Sequence, residues 1–422
     1  MAQRRELDAA RESVFVARSS VVEPVSGGRV RVVVGPRRAG KSSYAMRQVL
    51  ADARAWGYAN FDDERLCRIT DLDELVAALD GLYGSGSGVF FDEIQNLPEW
   101  ELFINRLQRS GRQILLTGSN AHLLSSELAT HLTGRHVQIP LLTFSFSELV
   151  SARGLQSQTE AEMREICRSY ARAGGFPEVV LKALSPQEYL RTLLESVIYK
   201  DIVLRFRPRA PQAIETIARC LLSQPGGEYS FHALTKATGC RSPHTLKKMI
   251  GWLEQAFVVF TVPRFSFKSR EQAASNKKAY AVDTGFVDAM GSALSPNWGR
   301  LYENLVAIAL FRRQLRGDLR VFYWKDPHGI EADFVIQEGL TVQQILQVCL
   351  DASDPKTRKR EIRGLCKAAR DLNCENLVLL TEGEEGDSTE TWEGATYSVR
   401  RLPVWKWLQE QEAVGVAAAM SG

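Results

Sequence analysis

GGRVRVVVGPRRAGKSSYAMRQVLADARA, residues 27–55, is the stretch that decides the fold. Residues 30–34 form a β-branched run typical of a buried parallel strand, and a helical pattern begins near residue 41. Between them lies GxxxxGK[ST], a loop whose backbone N–H groups surround phosphates at a helix N-terminus. The pattern therefore predicts an ATP site in which Lys41 reaches the β- and γ-phosphates and Ser42 binds Mg²⁺. The loop residues expected to contact the nucleotide are Gly35, Pro36, Arg37, Arg38, Ala39, Gly40, Lys41, Ser42 and Ser43.

A second apolar run, residues 89–91, ends in Asp92 and Glu93, fifty residues after Ser42. Asp92 at the end of a strand is expected to hold Mg²⁺ together with Ser42, and Glu93 is expected to polarise the attacking water. A carboxylate placed to activate water favours hydrolysis, because a kinase takes its nucleophile from a second substrate. The chain is therefore expected to be an ATPase with ATP and Mg²⁺ as its cofactors.

A third strand pattern, RQILLTGSN at residues 112–120, ends in Ser119 and Asn120. A polar side chain at this strand end would lie beside the γ-phosphate, so both residues are candidate sensors of the nucleotide. Arg135, which follows a Thr-Gly pair, is the candidate arginine finger acting on the nucleotide of a neighbouring subunit. An arginine that acts in this way requires self-association, and we expect a ring, with a hexamer as its form.

The composition is that of a globular protein rather than a membrane or secreted one. The chain has 422 residues, 45% hydrophobic and 24% charged, enough for about two to four domains. No run approaches the roughly 18 apolar residues of a transmembrane helix, and the N-terminus lacks the apolar core of a signal peptide. Seven cysteines and six histidines show no metal-ligand spacing, which is typical of free thiols in a reducing compartment. A cytoplasmic protein without a membrane segment is expected.

Basic charge is concentrated in the middle of the chain. Residues 191–280 hold fifteen Lys or Arg and six Asp or Glu, a local charge of +9 against +3 for the whole chain. Such a concentration favours an anionic polymer as partner, with a solvated basic face as the alternative. Duplex or branched DNA is the expected partner.

The pattern of residues 210–268, with a strand around residues 277–283, predicts helix, helix, helix and hairpin, which is winged-helix order. The third helix, SPHTLKKMIGWLEQA, begins with Ser242 as N-cap and Pro243 at its first position. In this fold the third helix enters the major groove and the wing meets phosphates. The candidates for DNA contact are Arg241, Ser242, His244, Thr245, Lys247 and Lys248 on the helix, and Arg264, Lys268, Lys277 and Lys278 on the wing.

The C-terminal part is predicted to contain a helix from residue 299 and strands at residues 320–326, 330–336 and 343–350. This is the core order of PD-(D/E)XK nucleases, in which two carboxylates bind Mg²⁺ and a lysine orients or activates water. Asp333 on a strand and Glu303 on the helix are present.

The rest of that site is degenerate. Gln347 stands where the second strand acid is expected, and an amide is a weaker Mg²⁺ ligand than a carboxylate. Cys349 stands in place of the lysine and cannot supply its charge. Glu331 as a substitute acid, or Lys356 or Lys359 as a displaced lysine, would restore a site. We expect a domain that no longer cuts DNA but keeps the fold for contact with DNA or a subunit.

In this order, the segments resemble the AAA+ class ATPases of bacteria and archaea that carry a C-terminal domain similar to PD-(D/E)XK nucleases. YANFDDERL (58–66), GGFPEVV (174–180), YKDIVLRF (199–206) and AYAVDTGF (279–286) extend the resemblance, which spans about residues 25–380. It implies an α/β fold: a P-loop AAA+ parallel-sheet core with a helical lid, a winged-helix segment and a C-terminal restriction-endonuclease-like α/β domain. The expected ranges are 1–25 for an N-terminal helical segment, 26–150 for the ATPase core, 151–208 for the lid, 209–297 for the winged helix and linker, 298–402 for the nuclease-like domain and 403–422 for a C-terminal tail.

Three functions are consistent with these predictions. The favoured one is a ring-forming, DNA-stimulated ATPase that moves or remodels duplex or branched DNA. A nucleotide-gated signalling or defence switch is the second, and an ATP-driven, Mg²⁺-dependent nuclease is the third.

Overall fold

A computed structural model of the protein describes residues 2–12, 15–18, 30–66, 68–121, 136–155, 158–182, 184–290, 296–350 and 354–421. The chain divides into two units. The first contains residues 1–143 and 255–257, and the second contains residues 144–254 and 258–422. In these described ranges, the first unit has one five-stranded sheet, and the second has a three-stranded and a six-stranded sheet.

The sheet of the first unit consists of parallel strands in the order β2-β3-β4-β1-β5. The strands are β1 Val30–Val34, β2 Trp56–Asn60, β3 Gly88–Asp92, β4 Ile114–Gly118 and β5 His136–Pro140. The β-branched run at residues 32–34 is fully buried, as expected of a parallel strand covered on both faces. The α/β core predicted from the P-loop stretch is therefore present.

Helices cover this sheet and supply its core. They are Ala2–Ala9, Lys41–Ala51, Leu72–Tyr83 and Trp100–Arg109, with a 3-10 turn at Ile94–Asn96. Tyr44 and Val49 of the second helix pack in one cluster with Phe90 and Leu115 of the strands. Because β3, β4 and β1 are adjacent and parallel, their carboxyl ends lie at the same edge of the sheet. That edge is where the P-loop, the Asp-Glu pair and the predicted sensor converge.

The second unit begins with a group of helices interrupted by the Gly174-Gly175 pair. Gly175 lies so close to the carbonyl oxygen of Phe144 that an added Cβ would be 2.2 Å from it. The Asp283 carboxylate accepts hydrogen bonds from the backbone N–H groups of Gly175 and Gly285, both at 2.9 Å. This contact joins the GGFP segment to the VDTG segment. The helices are Phe146–Ala152, Glu160–Ala173, Pro177–Lys182, Pro186–Val197 and Thr284–Met290, with a π-helical turn at Ile198–Val203 that continues into Leu204–Phe206.

The middle of the second unit has the predicted order of three helices and a hairpin. Its three-stranded antiparallel sheet has the order β6-β8-β7, because a short strand before the second helix joins the hairpin. Ser242 accepts a hydrogen bond from the N–H of Thr245 at 3.4 Å, as an N-cap residue does. The elements are Pro211–Ser223, β6 Glu228–Tyr229, Phe231–Thr238, Pro243–Gln255, β7 Val259–Pro263, Ser269–Ala274 and β8 Lys277–Ala281.

The C-terminal part has the predicted helix followed by three antiparallel strands, and then a further helix and parallel strands. The sheet order is β13-β14-β12-β11-β10-β9, with β12 parallel to β11 and β14. The elements are Trp298–Arg316, β9 Arg320–Lys325, β10 Glu331–Glu338, β11 Thr341–Val348, Pro355–Leu372, β12 Leu377–Thr381, β13 Gly386–Trp392, β14 Ala395–Pro403 and Val404–Ser421. The C-terminal segment from 403 is not a free tail, since its helix buries Trp407 and Leu408 and its Glu412 accepts a hydrogen bond from Ser145 at 2.8 Å.

The two sheets of the second unit are held side by side. The N–H of Phe265 donates to the carbonyl of Tyr323 on β9 at 2.7 Å, and the rings of Phe260 and Phe311 stack with centroids 4.2 Å apart. The buried amide of Asn304 makes two 2.9 Å hydrogen bonds to the backbone of Ala281 in β8. These contacts hold β8 against helix Trp298–Arg316 and next to β10. In the part of the chain that the structure describes, no helix combines the length and apolar character needed to cross a membrane.

Candidate functional site

The P-loop takes its shape from backbone positions that only glycine tolerates easily. Gly40 has φ 89° immediately before helix Lys41–Ala51, a left-handed conformation with no steric cost for glycine. At Gly35 an added Cβ would lie 1.8 Å from the carbonyl oxygen of Leu141. Arg38 also has positive φ, at 66°. The loop therefore curves tightly between β1 and its helix, as a phosphate-binding loop must.

Lys41 and Ser42 meet the end of β3. The buried Nζ of Lys41 donates to the carbonyl of Pro36 at 2.9 Å and lies 3.6 Å from Oε1 of Glu93. The hydroxyl of Ser42 donates to Oδ1 of Asp92 at 3.0 Å. The structure thus brings together the two segments that the sequence places fifty residues apart. A serine hydroxyl beside a carboxylate provides the hard oxygen ligands that Mg²⁺ prefers, so these residues fit that ion.

Thr117 of β4 organises the Asp-Glu pair and was not predicted. Its hydroxyl donates to Oδ1 of Asp92 and accepts from the N–H of Glu93 at 3.0 Å. Burial and the charge of Glu93 raise the pKa of Asp92 to about 6. Burial also disfavours the charge on Glu93, but Lys41 and the hydrogen bond from Gln95 outweigh this and lower its pKa. Glu93 is therefore the carboxylate held in the ionised form that a base requires.

Gln95 is the second residue that sequence reasoning missed. Its side-chain amide donates both to Oε2 of Glu93 and, at 3.2 Å, to the hydroxyl of Ser119. It thereby connects the predicted base to the predicted sensor at the end of β4, where Asn120 is also buried. The only signal in the sequence is its position two residues after Glu93.

The other predicted residues of this site differ in their placement. Arg37 forms an ion pair with Asp62 at 3.6 Å. The other predicted P-loop residues lie in the loop between β1 and helix Lys41–Ala51 or in the first turn of that helix. Arg135, the predicted arginine finger, lies outside the described residues.

The predicted DNA-contacting residues divide into two groups. Arg241, Ser242, His244, Lys247 and Lys248 are exposed and Thr245 is half-buried. The first two directly precede helix Pro243–Gln255, and the others lie in its N-terminal half. The wing residues are less free. Arg264 donates to the carbonyl of Lys325 at 2.5 Å, and Lys268 pairs with Glu271 at 2.9 Å, while Lys277 is half-buried.

Lys278 is not a wing contact, and that prediction is wrong. Its side chain is 2% exposed, and its Nζ lies 3.3 Å from Glu303, 3.3 Å from Asp333 and 3.5 Å from Glu331. We call these four residues the Lys278 cluster. Burial lowers the pKa of an ammonium, but Tyr280 and the three acids outweigh it and raise the pKa of Lys278 well above its usual value. The period of β8 was the missed signal, since Lys278 shares a face with the buried Tyr280.

The carboxylates of the cluster are engaged on their other sides as well. Tyr280 donates to Glu303 at 2.7 Å, and burial raises the pKa of Glu303 to about 7. Asp333 accepts from the N–H of Val348 at 3.0 Å. Glu331 lies 3.6 Å from Nζ of Lys325.

Gln347 fills the position of the missing acid with a structural role. Its Oε1 accepts from the N–H of Asp333 at 3.1 Å, and its Nε2 donates to Oε2 of Glu361 at 2.6 Å. A carboxylate at position 347 could not donate to Glu361, so the amide is required by this network. Cys349 is buried in the sheet core. Lys356 and Lys359 are exposed on helix Pro355–Leu372 and do not join the described cluster.

The Lys278 cluster does not fit Mg²⁺, the ion expected at a PD-(D/E)XK-like site. The ammonium occupies the point on which the three carboxylates converge. At an effective dielectric constant of about 20, a divalent ion about 3 Å from an ammonium is repelled by on the order of 10 kcal/mol. Among the residues that the structure describes, no group of three or more His, Cys, Asp or Glu is arranged to hold a metal ion.

A cavity of about 610 Å³ opens above the cluster. Its floor includes Glu303, Glu331 and Asp333, and its wall includes Lys359, Arg360 and Arg363. These three basic side chains are exposed, although Arg360 pairs with Glu361 and Arg363 lies over the Trp392 ring. The cavity therefore combines an acidic floor, compensated in part by Lys278, with a basic rim.

Three family models match successive parts of the chain. Residues 28–150 match an AAA domain, residues 164–297 match a domain of unknown function (DUF8612), and residues 298–401 match another (DUF4143). The chain therefore contains a P-loop ATPase domain of the AAA type, followed by two regions similar to domains of unknown function.

Similar proteins are known from an archaeon and a bacterium. An uncharacterised protein of Methanocaldococcus jannaschii is 29% identical over 396 residues, covering 90% of this chain and 88% of the relative. One of Haemophilus influenzae is 29% identical over 300 residues, covering 67% and 74%. Among solved structures, the Thermotoga maritima RuvB Holliday junction branch migration motor is 17% identical and covers 62% of this chain and 88% of its own, with a TM-score of 0.29. That score is too low to support a functional assignment.

Proposed function

We propose that this protein is an AAA+ ATPase that binds duplex or branched DNA and uses ATP hydrolysis to move or remodel it. In this proposal residues 209–297 act as a winged-helix DNA-binding segment, and residues 298–402 form a PD-(D/E)XK-like domain that does not cut. The observation that carries the proposal is the assembled edge of the parallel sheet, where Lys41, Ser42, Asp92 and Glu93 lie in hydrogen-bond or ion-pair contact.

The ATP site explains how hydrolysis would be coupled to nucleotide binding. Lys41 is paired with Glu93, and the phosphates of ATP would compete for the same ammonium. When Lys41 turns to the phosphates, Glu93 is released to orient a water and to accept its proton. Gln95 limits where the freed carboxylate can go, because it holds Glu93 and Ser119 together. Ser42 and Asp92 would hold Mg²⁺, which neutralises charge on the β- and γ-phosphates when it is bound.

DNA as the partner is supported by charge and exposure. Lys247 and Lys248 in the N-terminal half of helix Pro243–Gln255, and Arg241 just before it, are exposed to solvent. All three lie within the segment that carries +9. Ser242 caps the helix and fixes where this basic end begins. The basic rim of the C-terminal cavity is a second surface of the same sign, which suits the sugar-phosphate backbone.

The test is the ATPase rate with and without duplex, branched and single-stranded DNA. We expect duplex or branched DNA to stimulate hydrolysis, and the triple variant Arg241→Ala, Lys247→Ala, Lys248→Ala to lose the stimulation while keeping its basal rate. The matched control, Arg109→Ala, Arg320→Ala, Arg370→Ala, removes equal charge from exposed positions outside residues 209–297 and should behave like the wild type. A protein whose ATPase rate ignores all DNA and which binds none at moderate salt would instead be a nucleotide-gated switch.

Ring formation and nuclease activity are tested separately. We expect the protein to form a ring with a slowly hydrolysed nucleotide, and Arg135→Ala to lose ATPase activity in the assembled form.

Incubation of DNA with the protein and Mg²⁺ or Mn²⁺ should give no cleavage. Cleavage that disappears in Asp333→Ala would contradict the non-cutting role, whereas cleavage that survives the substitution would indicate a contaminant.

A further inference from the structure

We infer that Lys278 is a built-in counter-ion that replaces the divalent metal of the nuclease-like domain, and that its removal would uncover a divalent-cation site made by Glu303, Glu331 and Asp333. This inference concerns the second unit alone. It stands whether or not the ATPase acts on DNA.

The cluster consists of three carboxylates that converge on one ammonium. Its carboxylates come from two elements, since Glu303 is on helix Trp298–Arg316 and the other two are on β10. The ammonium comes from a third element, β8, and lies 3.3–3.5 Å from all three acids. Acids from separate elements repel one another unless a cation lies between them. Lys278 supplies that cation from within the chain.

The surroundings hold both partners in place. β8 is the central strand of its sheet, paired with β6 and β7, and Asn304 binds its backbone to the helix that carries Glu303. Gly226 leaves the space that the Glu303 carboxylate occupies, because an added Cβ there would lie 2.6 Å from Oε1. With 2% of its side chain exposed, Lys278 has no open path to a solvent-facing position comparable to that of a wing lysine.

The attachment of Lys278 to β8 also affects how the parts of the second unit are held together. A bound metal can dissociate or be chelated, but a lysine is covalently attached to β8. The cluster therefore joins the segment of helices and hairpin, residues 209–297, to the C-terminal sheet without a metal. Lys278 compensates part of the charge of the three carboxylates, and the basic rim of the cavity adds positive charge beside them.

The experiment measures Mn²⁺ binding to the full-length protein without nucleotide, with electron paramagnetic resonance as the readout. The wild type and Asp333→Asn should bind Mn²⁺ equally, because Asp333 is not a metal ligand when Lys278 is present. Lys278→Met should gain one Mn²⁺ per chain relative to the wild type, and the double variant Lys278→Met, Asp333→Asn should lose it again. Subtraction of the Asp333→Asn variants removes any ion held by Ser42 and Asp92. Lys277→Met, next to it on the other face of β8, is the matched control and should gain nothing.

Two results would overturn the inference. If Mn²⁺ binding to the wild type falls on Asp333→Asn, the carboxylates already hold a metal and Lys278 is the displaced lysine of a working site. If Lys278→Met is folded by circular dichroism and gains no Mn²⁺, the acids do not form a latent site. If Lys278→Met fails to fold, the double variant that combines Lys278→Met with Glu303→Gln takes its place. It carries less unpaired charge and retains Glu331 and Asp333 for the same measurement. The wild-type comparison alone still decides whether Asp333 binds a metal while Lys278 is present.

Discussion

Two buried lysines in this protein are surrounded by acids, and they have opposite roles. Lys41 in the P-loop has one ion pair, with Glu93 at 3.6 Å, and a 2.9 Å hydrogen bond to a backbone carbonyl. Lys278 has three carboxylates within 3.5 Å. The first lysine is weakly held and can be taken by incoming phosphates. The second contacts three carboxylates, so its ammonium already occupies the place that a bound cation would take.

The difference shows how a site that binds a substrate differs from a site whose charged groups contact only one another. Around Lys41 the ammonium has one acid partner and lies at the start of a helix, a position that favours the binding of phosphates. Around Lys278 each of the three acids lies within 3.5 Å of the ammonium, and the amide of Gln347 accepts from the N–H of Asp333 and donates to Glu361. A strong response to ligand is expected in the first case and a strong effect on stability in the second.

Glu93→Gln gives the largest expected effect. Without a carboxylate to accept the proton of the attacking water, ATP hydrolysis should fall by about 100- to 10,000-fold, while nucleotide binding remains. A fluorescent nucleotide measures binding and phosphate release measures turnover. Unchanged turnover would remove Glu93 from the role of base.

Lys278→Met tests the opposite side of the comparison. Breaking a buried ion network on one side costs about 3–5 kcal/mol, so chemical denaturation should show a large loss for the second unit. Lys41→Met is the control and should lose less stability, since it leaves one ion-paired acid rather than three. Equal losses for the two variants would show that the Lys278 cluster is no more complete than the ATP site.

The pH dependence of stability sharpens the same contrast. Burial raises the pKa of Glu303 from 4.5 to about 7, so the folded state holds a proton that the unfolded chain releases. This contribution is fully present below about pH 4.5 and is lost as pH rises through about 7, with a size on the order of 1–3 kcal/mol. Denaturation at pH 5 and pH 8 should show the loss in the wild type and a smaller one in Glu303→Gln. An identical pH dependence in both proteins would place the titrating group elsewhere.

Gln95→Ala should have the smallest effect. Glu93 keeps its charge but loses the amide that connects it to Ser119, so turnover should fall by roughly tenfold with little change in nucleotide affinity. Gln95→Glu, which places a second negative charge beside Glu93, should be more severe. A variant that hydrolyses ATP at the wild-type rate would show that Glu93 needs no orienting partner.

Some of the fold and most of the ATP site could be predicted because their information is local. A P-loop or an Asp-Glu strand end needs a few consecutive residues of fixed type, and parallel strands show as apolar runs. The order of helices and hairpin in the middle, and of helix and three strands at the C-terminal end, was predicted correctly from periodicity. The edge strand β13 was not, because its alternating polar residues, GDSTETW, look like an acidic loop until a partner strand pairs with them.

The amino-acid sequence by itself determined that this chain has a nucleotide site, since Lys41, Ser42, Asp92 and Glu93 lie in short motifs whose local geometry is nearly fixed. Only the tertiary structure decided the fate of the C-terminal acids. Lys278 is 25 residues from Glu303 and 55 from Asp333 along the chain, and no local pattern records that they meet. The physical reason is that a charge is defined by its neighbours. A lysine in a basic segment binds an anion when exposed, and becomes a counter-ion when strand pairing turns it inward.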